Sequence, residues 1–343
     1  MYNILEEAGQ AVVLINPQHM RNLPGHKTDV ADSIWLADLL RHGLLRPSFI
    51  PPAAIRELRE LTRYRTTQVR ARAQEVQRLQ KVLESATIKL ASVATDILGV
   101  SGQQILHVLS TQEDPDPAVV AELAKGRLRK KLALRRQALE GRIKPHHRVL
   151  IRRLLDHIAF LTESVEQLEE EIERALLPFA EAMTVLQTLP GVGKIAAATL
   201  IAELGVQMGC FASAKHLASW AGLCPGNHQS AGKRKRGTTT KGNVWLRGIL
   251  GEVAWAAIRT KGTCFGAQFK RVARRQGTPK ALVAVAHRLL EVIYVMLRDQ
   301  QPYRELGPDY VPPQHTRRQT QHLVHRLEHL GYTVTLTPKE DAA

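Results

Sequence analysis

RVLIRRLLDHIAFLTESVEQLEEEIERALL, residues Arg148–Leu177, is the stretch that decides the fold class. Leu154, Ile158, Leu161, Val165, Leu168 and Ile172 recur at alternating spacings of four and three. That is the repeat of a long helix burying one seam. A second pattern of this kind runs from Ile55 to about Ala86, with Ile55, Leu58, Leu61, Val69, Val76, Leu79 and Leu83 on or near one stripe. The earlier helix is Arg-rich, whereas the later one carries Glu163, Glu166, Glu169, Glu170, Glu171 and Glu173. Opposite charge predicts that the two pair, and the sequence leaves two ways open: a hairpin within one chain, or a coiled coil between subunits. Pro178 ends the acidic helix, and a new domain is expected to begin after it.

Working toward the N-terminus, the residues before Gly9 read as the end of an amphipathic helix. Ala11–Ile15 (AVVLI) reads as a short apolar strand stopped by Asn16-Pro17. Such a strand normally lies inside a sheet with both faces covered. One strand makes no domain, so its partners are expected from another chain or from sequence before Met1. Between the two long helices, EDPDP at Glu113–Pro117 reads as an exposed turn. KGRLRKKLALRR, Lys125–Arg136, reads as a basic helix face suited to tracking phosphates, or as ordinary solvated surface.

Composition narrows the partner. The 343 residues suffice for about two domains. The 48 Lys plus Arg against 32 Asp plus Glu leave a formal charge of +16. A surplus of this size favours a polyanion, and nucleic acid first, because phosphate neutralisation supplies most non-specific affinity. Cys210, Cys224 and Cys264 stand far apart without a CxxC pair, so neither a zinc site nor a disulfide framework is suggested. No apolar run reaches the ~18 residues of a membrane span, and no secretion signal opens the chain. A cytoplasmic protein with no membrane partner is expected.

Two motifs in the C-terminal half carry chemistry. Leu189-Pro190-Gly191-Val192-Gly193-Lys194 opens a helix over Ile195–Leu204 and matches a helix-hairpin-helix turn, in which Gly191, Gly193 and Lys194 present backbone and charge to a phosphate. A nucleotide-binding P-loop fails, because Thr188 and Ile195 stand where that motif needs Gly and Ser or Thr. The remaining alternative is a glycine-rich helix start with no ligand. Further on, after a helix ending near Trp220, a loop presents Ser230, then Lys233, Arg234, Lys235, Arg236 and Lys241, before a helix resumes at Asn243. A hydroxyl within such a cationic cluster is placed as a phosphodiester nucleophile needs to be, although a serine in a loop is more commonly a turn residue. His26, His146, His147 and His228 share no ligand spacing and read as surface or nucleic-acid-facing. Trp35, Trp220, Trp245 and Trp255 lie on helical patterns and read as core.

The series LPGVGKIAAATLIAELG, LASWAGLCPGN, QSAGKRKRGTTTKGN and LRGIL, continuing through RRQGTPKALVAVAHRLL and preceded by HKTDVADSIWLADLLRHGLLRPSFIPP, resembles the insertion-sequence transposases of the DEDD-plus-serine type. This is the IS110 family, with the Piv DNA invertases and the bridge-RNA-guided recombinases among its relatives. The resemblance runs over nearly the whole chain, with the motifs in the family's order. It implies a fold that is mixed but mainly α. A partial RuvC-like (RNase H fold) α/β domain would occupy 1–52, and a helical coiled-coil or linker region 53–178. A helical C-terminal transposase domain with the serine nucleophile would occupy 179–343.

The resemblance also implies a site. Four acids, Asp, Glu, Asp and Asp, hold Mg2+ in that family, while a distal serine attacks DNA and becomes covalently attached. Asp29 and Asp32 match the last two acids, and Ser230 matches the serine, here in Ser-Ala-Gly rather than Ser-Gly. By spacing alone, Asp29 and Asp32 share a helix face, where they can ligate a hard divalent ion or, more commonly, serve as cap and dipole partners. The first two acids have no counterpart in this sequence, and the expectation is an N-terminal truncation that impairs the site. The implied partners are DNA, a guide RNA in some members, and further copies of the chain as a dimer or tetramer. The expected function is DNA strand cleavage and exchange in transposition or site-specific recombination. The alternatives are a non-catalytic nucleic-acid-binding remnant and a nuclease that uses carboxylates alone.

Overall fold

The computed structural model describes residues 2–15, 29–45, 47–94, 96–113, 115–123, 132–225, 229–230, 233–234, 239–308, 310 and 313–336. The chain divides into two compact units, Met1–Pro178 and Phe179–Ala343. It is mainly helical, with almost no strand.

The first unit opens with α1 (Tyr2–Glu7) and α2 (Asp29–Arg41), neither of which buries more than one residue. The strand expected at Ala11–Ile15 is not there. Among the described residues this stretch forms one isolated antiparallel bridge, Ile15 with Pro47, and Ser48 N donates to Leu14 O at 2.7 Å. The reason is physical. A fully apolar strand needs a ladder on each side, none of the described residues supplies one, and Val13 and Leu14 stay exposed.

The long elements are α3 (Ala53–Ser85), of 33 residues, and, after α4 (Leu90–Val93), α5 (Val100–Thr111), α6 (Pro117–Glu122) and α7 (Leu132–Leu139), α8 (Pro145–Ala175), of 31. The two long helices pack on one another within the chain. Their pairing runs antiparallel: Arg65 Nε donates to Glu169 Oε1 at 2.8 Å, His157 Nδ1 lies 3.5 Å from Glu75, and Ser85 Oγ lies 3.4 Å from His147 Nε2. Of the two arrangements left open by the sequence, this is the hairpin. Its seam is buried at Ile55, Leu58, Leu79 and Leu83 on α3 and at Ile151, Ile158, Leu161 and Ile172 on α8. Each such side chain contributes roughly 1.5–3 kcal/mol. Where α3 meets α8, the short helices complete a core with Ile88, Leu90, Ile97, Ile105, Leu106, Val120 and Leu139.

Of the basic run expected as one helix over Lys125–Arg136, residues 125–131 lie outside the described set, and α7 begins at Leu132. The expected turn at Glu113–Pro117 is a loop whose Asp116 side chain caps α6 by accepting from Ala118 N at 2.8 Å. His147, expected at the surface, is buried. Its Nδ1 accepts from Lys144 N at 3.3 Å, which closes a cap at the start of α8. Burial, with His146 and Lys144 as positive neighbours, pushes its pKa down.

The second unit is a helical cluster: α9 (Ala180–Gln187), α10 (Lys194–Leu204), α11 (Ala214–Trp220), α12 (Val244–Arg259), α13 (Cys264–Gln276), α14 (Thr278–Asp299) and α15 (Pro313–His329). α14 is the spine, packed against α9, α11, α12 and α13. It buries Ala281, Val285, Leu289, Leu290 and Ile293 along one side. Small residues bring its neighbours close, with Ala197, Ala198 and Ala202 of α10 and Ala254 and Ala257 of α12 all buried. Of the tryptophans expected in a core, Trp35 and Trp245 are half-buried and the other two are not covered. Trp220 and Trp255 are exposed, beside Phe211 and Phe269 respectively, and Arg259 sits over the Trp255 ring. Helical spacing places a side chain on a face without saying whether another helix covers it.

Candidate nucleic-acid interface

The glycine turn lies between α9 and α10. Gly191 has φ +87°, and a Cβ there would fall 2.7 Å from Val253 O and 2.8 Å from Ala257 N of α12. Only glycine admits both the left-handed backbone and that approach. Two residues on, Gly193 is the N-cap of α10 with no side-chain cap and open space where a Cβ would stand. Gly193 and Lys194 are both exposed. The turn thus packs inward through Gly191 and presents an uncapped helix start outward, the arrangement that suits a phosphate oxygen.

Ser230 sits on a two-strand ribbon, β1 (Gln229–Ser230) with β2 (Lys233–Arg234). The pairing is antiparallel, Gln229 with Arg234 and Ser230 with Lys233. Cross-strand pairing places residues 230 and 233 directly opposite one another. Lys235 and Arg236 lie outside the described residues. Lys241 is exposed, on the limb that returns to α12.

The base of this ribbon is held by residues that reading of the sequence missed. Pro225 bridges Thr239. Gly242, at φ +44°, passes so close to the start of the loop that a Cβ would lie 2.3 Å from Ala221 O and 2.6 Å from Gly222 Cα. Arg247 of α12 donates to Thr240 O at 3.3 Å and Lys241 O at 3.2 Å, so its guanidinium fastens the returning limb. Asn243 is the N-cap of α12, its Oδ1 accepting from Trp245 N and Leu246 N. Its Nδ2 donates to Glu203 Oε2 at 2.5 Å. Glu203, on α10, is 1% exposed, and this bond ties the glycine-turn helix to the ribbon's return limb. The sequence signal for the cap was the Asn before an apolar run; nothing local marked Glu203 or Arg247 as its companions.

Asp29 and Asp32 begin α2 in the first unit, one turn apart, Asp29 exposed and Asp32 half-buried. The Ser33 hydroxyl donates to Asp29 O at 3.0 Å. Among the described residues no group of three or more His, Cys, Asp or Glu side chains could hold a metal. Nor is any described helix long and apolar enough to cross a membrane.

Comparison with known proteins bears on these two regions. The profile of the Transposase IS116/IS110/IS902 family matches residues 183–270, which hold the glycine turn and the ribbon. The DEDD transposase profile of the IS110 type matches residues 1–88. A probable family 20 transposase of Pseudomonas aeruginosa is 23% identical over 88% of this chain and 81% of its own length. The pilin gene-inverting protein of Moraxella bovis is 30% identical over 43% of this chain and 48% of its own. The transposase for insertion sequence element IS1111A of Coxiella burnetii is 31% identical over 41% of this chain and 40% of its own. The matches thus span less than half the length of the last two relatives. With the DEDD match at its front and the second match around the glycine turn and the serine ribbon, the chain belongs to the IS110/IS116/IS902 family of insertion-sequence transposases.

Proposed function

We propose that the chain breaks and rejoins DNA strands in transposition or site-specific recombination, with Ser230 as nucleophile and Asp29 and Asp32 as magnesium ligands. The observation that carries this reading is the register of the ribbon. Residue 230 stands opposite Lys233, in a run of cations, on a loop whose base is fixed by Gly242, Arg247 and the Asn243–Glu203 bond. A fixed base suits a loop that must offer a nucleophile in one place, and cations favour the charge that develops on phosphorus.

In the proposed step the Ser230 hydroxyl gives up its proton and its oxygen bonds to phosphorus. The bond from phosphorus to one sugar oxygen breaks, and that oxygen leaves with the electron pair and takes up a proton. The product is a serine–DNA phosphodiester, which the reverse attack by a new sugar hydroxyl resolves. Gly191, Gly193 and Lys194 bind the DNA backbone, and Lys233, Arg234, Lys235, Arg236 and Lys241 hold it near Ser230. Asp29 and Asp32 offer hard oxygen ligands in the first turn of one helix and would hold the magnesium ion. A magnesium ion held there would supply neutralisation of phosphate charge. Assembly as a dimer or tetramer brings two DNA partners together, and a guide RNA on the basic surface belongs to the same reading, supported by the charge of +16.

The test is an adduct assay. The chain is incubated with magnesium and supercoiled DNA carrying its own coding region and flanks, then denatured. The reading expects a covalent protein–DNA species that vanishes in Ser230→Ala; cutting undiminished in that variant would refute it.

A second reading, a nucleic-acid-binding protein without chemistry, is favoured by the lack of any three-member ligand cluster among the described residues. It predicts duplex binding with no adduct in either version.

A further inference from the structure

Arg271 and Arg275 stand one turn apart on α13 and both line a cavity of about 290 Å3. Among the described residues no carboxylate pairs with either. A third guanidinium, Arg288 of α14, lines the same cavity but is engaged by Glu291, with Nη1 3.2 Å from Oε2. The lining therefore carries a surplus of positive charge held on two rigid helices. None of the ribbon residues and none of the glycine-turn residues contribute to it.

Part of the remaining wall is aromatic: Phe265, Tyr303 and Tyr310 line it together with Val272, Val292 and Leu306. Tyr303 stacks on Phe265, with ring centroids 5.8 Å apart and planes inclined by 25°. Its hydroxyl donates to Glu305 Oε2 at 2.8 Å, and its backbone N donates to Thr188 Oγ1 at 2.8 Å. Glu305 also accepts from Cys264 N and Gly307 N, both at 2.9 Å, so the segment after α14 is anchored to the first turn of α13. Burial, with the Cys264 and Glu305 bonds, pushes the Tyr303 hydroxyl well above its ordinary range and keeps it protonated as a donor. Tyr310 lines the cavity too and has no ring partner among the described residues.

Two guanidiniums without a carboxylate partner among the described residues suit phosphate oxygens. A tyrosine with no ring partner among the described residues beside them suits a base, because any base presents a π-face. Neither feature alone calls for a nucleotide, but a cavity that joins them does. We propose that this cavity is a nucleotide subsite, taking the phosphate of a terminal or unpaired nucleotide on Arg271 and Arg275 and its base against Tyr310. The proposal rests on the nucleic-acid reading above and adds to it a site apart from the Ser230 ribbon.

Cys264 lines the cavity and reports on it directly, while Cys210, exposed and outside the lining, is an internal reference. The experiment measures iodoacetamide alkylation of each cysteine by peptide mass spectrometry, in the full chain, with 5′-phosphorylated thymidine dinucleotide, thymidine monophosphate or inorganic phosphate. The dinucleotide is expected to slow Cys264 and leave Cys210 unchanged. Protection by the monophosphate at equal concentration assigns the site to a single nucleotide, and weaker protection assigns it to a strand end. Either agrees with the proposal, whereas equal protection by inorganic phosphate overturns it. Arg271→Ala with Arg275→Ala is expected to raise the concentration for half-protection about tenfold or more. Tyr310→Leu should raise it about tenfold, and Arg274→Ala, which alters a cation of the same helix outside the lining, should not. Binding of a fluorescent duplex is measured alongside. An unchanged Cys264 rate in wild-type protein that still binds duplex overturns the subsite alone, whereas loss of duplex binding overturns the broader reading.

Discussion

Replacing Gly242 by alanine tests whether the serine ribbon is held from its base. Two costs add at this position. The backbone lies at φ +44°, in the left-handed region, where a Cβ costs roughly 1–2 kcal/mol. The new methyl would also stand 2.3 Å from Ala221 O and 2.5 Å from Ala221 C, atoms of a backbone fixed at the end of α11. Relieving such a contact typically costs about 1–3 kcal/mol more. The sum is about 2–5 kcal/mol, a large part of a domain stability of roughly 5–15 kcal/mol. Two other glycines separate the terms. Gly262 has φ +75° with nothing within 4 Å, so Gly262→Ala should show the conformational cost alone, about 1–2 kcal/mol. Gly209 has open space and no positive φ, so Gly209→Ala should be neutral or stabilising by up to about 1 kcal/mol. Urea unfolding followed by tryptophan fluorescence is the assay, because Trp220, Trp245 and Trp255 all lie in the second unit. Gly242→Ala should lower the midpoint by about 1–2 M more than Gly209→Ala does. If it unfolds at the same urea concentration as Gly262→Ala, the backbone crossing at the ribbon's base is not tight and the positioning argument falls.

Other perturbations have equally definite outcomes. Arg247→Ala frees the carbonyls of Thr240 and Lys241, so hydrogen exchange over 239–243 should quicken while that over α14 is unchanged. The pKa of His147 is depressed in the folded state, so the unfolded chain binds the extra proton first. Stability of the helical hairpin should hold above about pH 6.5 and fall as pH drops from there toward the folded value; His147→Gln should flatten that slope in thermal melts. Burial pushes Glu305 up, but the bonds from Cys264 N, the Tyr303 hydroxyl and Gly307 N outweigh it and leave its carboxyl below the ordinary range. Its contribution should be complete above about pH 4.5 and fade as pH falls through the folded value. Glu305→Gln should therefore loosen the segment after α14 at neutral pH and remove that acid dependence, read by exchange at Cys264 and Gly307 amides. For Arg65 and Glu169, a double-mutant cycle should give a coupling of about 0.5–1 kcal/mol, with single substitutions at Arg65 the more costly because its side chain is largely buried.

What could be read from residues alone follows the range of the interactions. The two long helices were legible because their spacing repeats for about thirty residues, and the glycine turn because its signature is local. Their pairing was not, since a hydrophobic seam and complementary charge are satisfied equally by the same chain or by another. AVVLI forms no ladder among the described residues, because a strand needs a partner and the partners expected for it lie outside this chain; Val13 and Leu14 stay exposed. Ser230 and its cations lie within a dozen residues and were found together. The residues that fix their loop were not, because Glu203 reaches Asn243 across forty positions and Gly242 meets Ala221 across twenty-one. The cavity beside α13 was hidden for the same reason: Cys264, Tyr303 and Glu305 converge only after α14 has turned the chain back.

The paired helices also set a length. With 33 and 31 residues, and a rise of about 1.5 Å each, α3 and α8 make an arm of roughly 46–50 Å. Because they run in opposite directions in one seam, seven residues removed from a single helix would keep its apolar stripe on the seam but shift every pairing beyond the cut by one heptad. Removing seven from each, at facing positions, keeps the seam in phase and draws the tip in by about 10 Å. The arm is therefore a ruler graduated in matched heptads, and whatever grips its far end is spaced from the short-helix core in those increments.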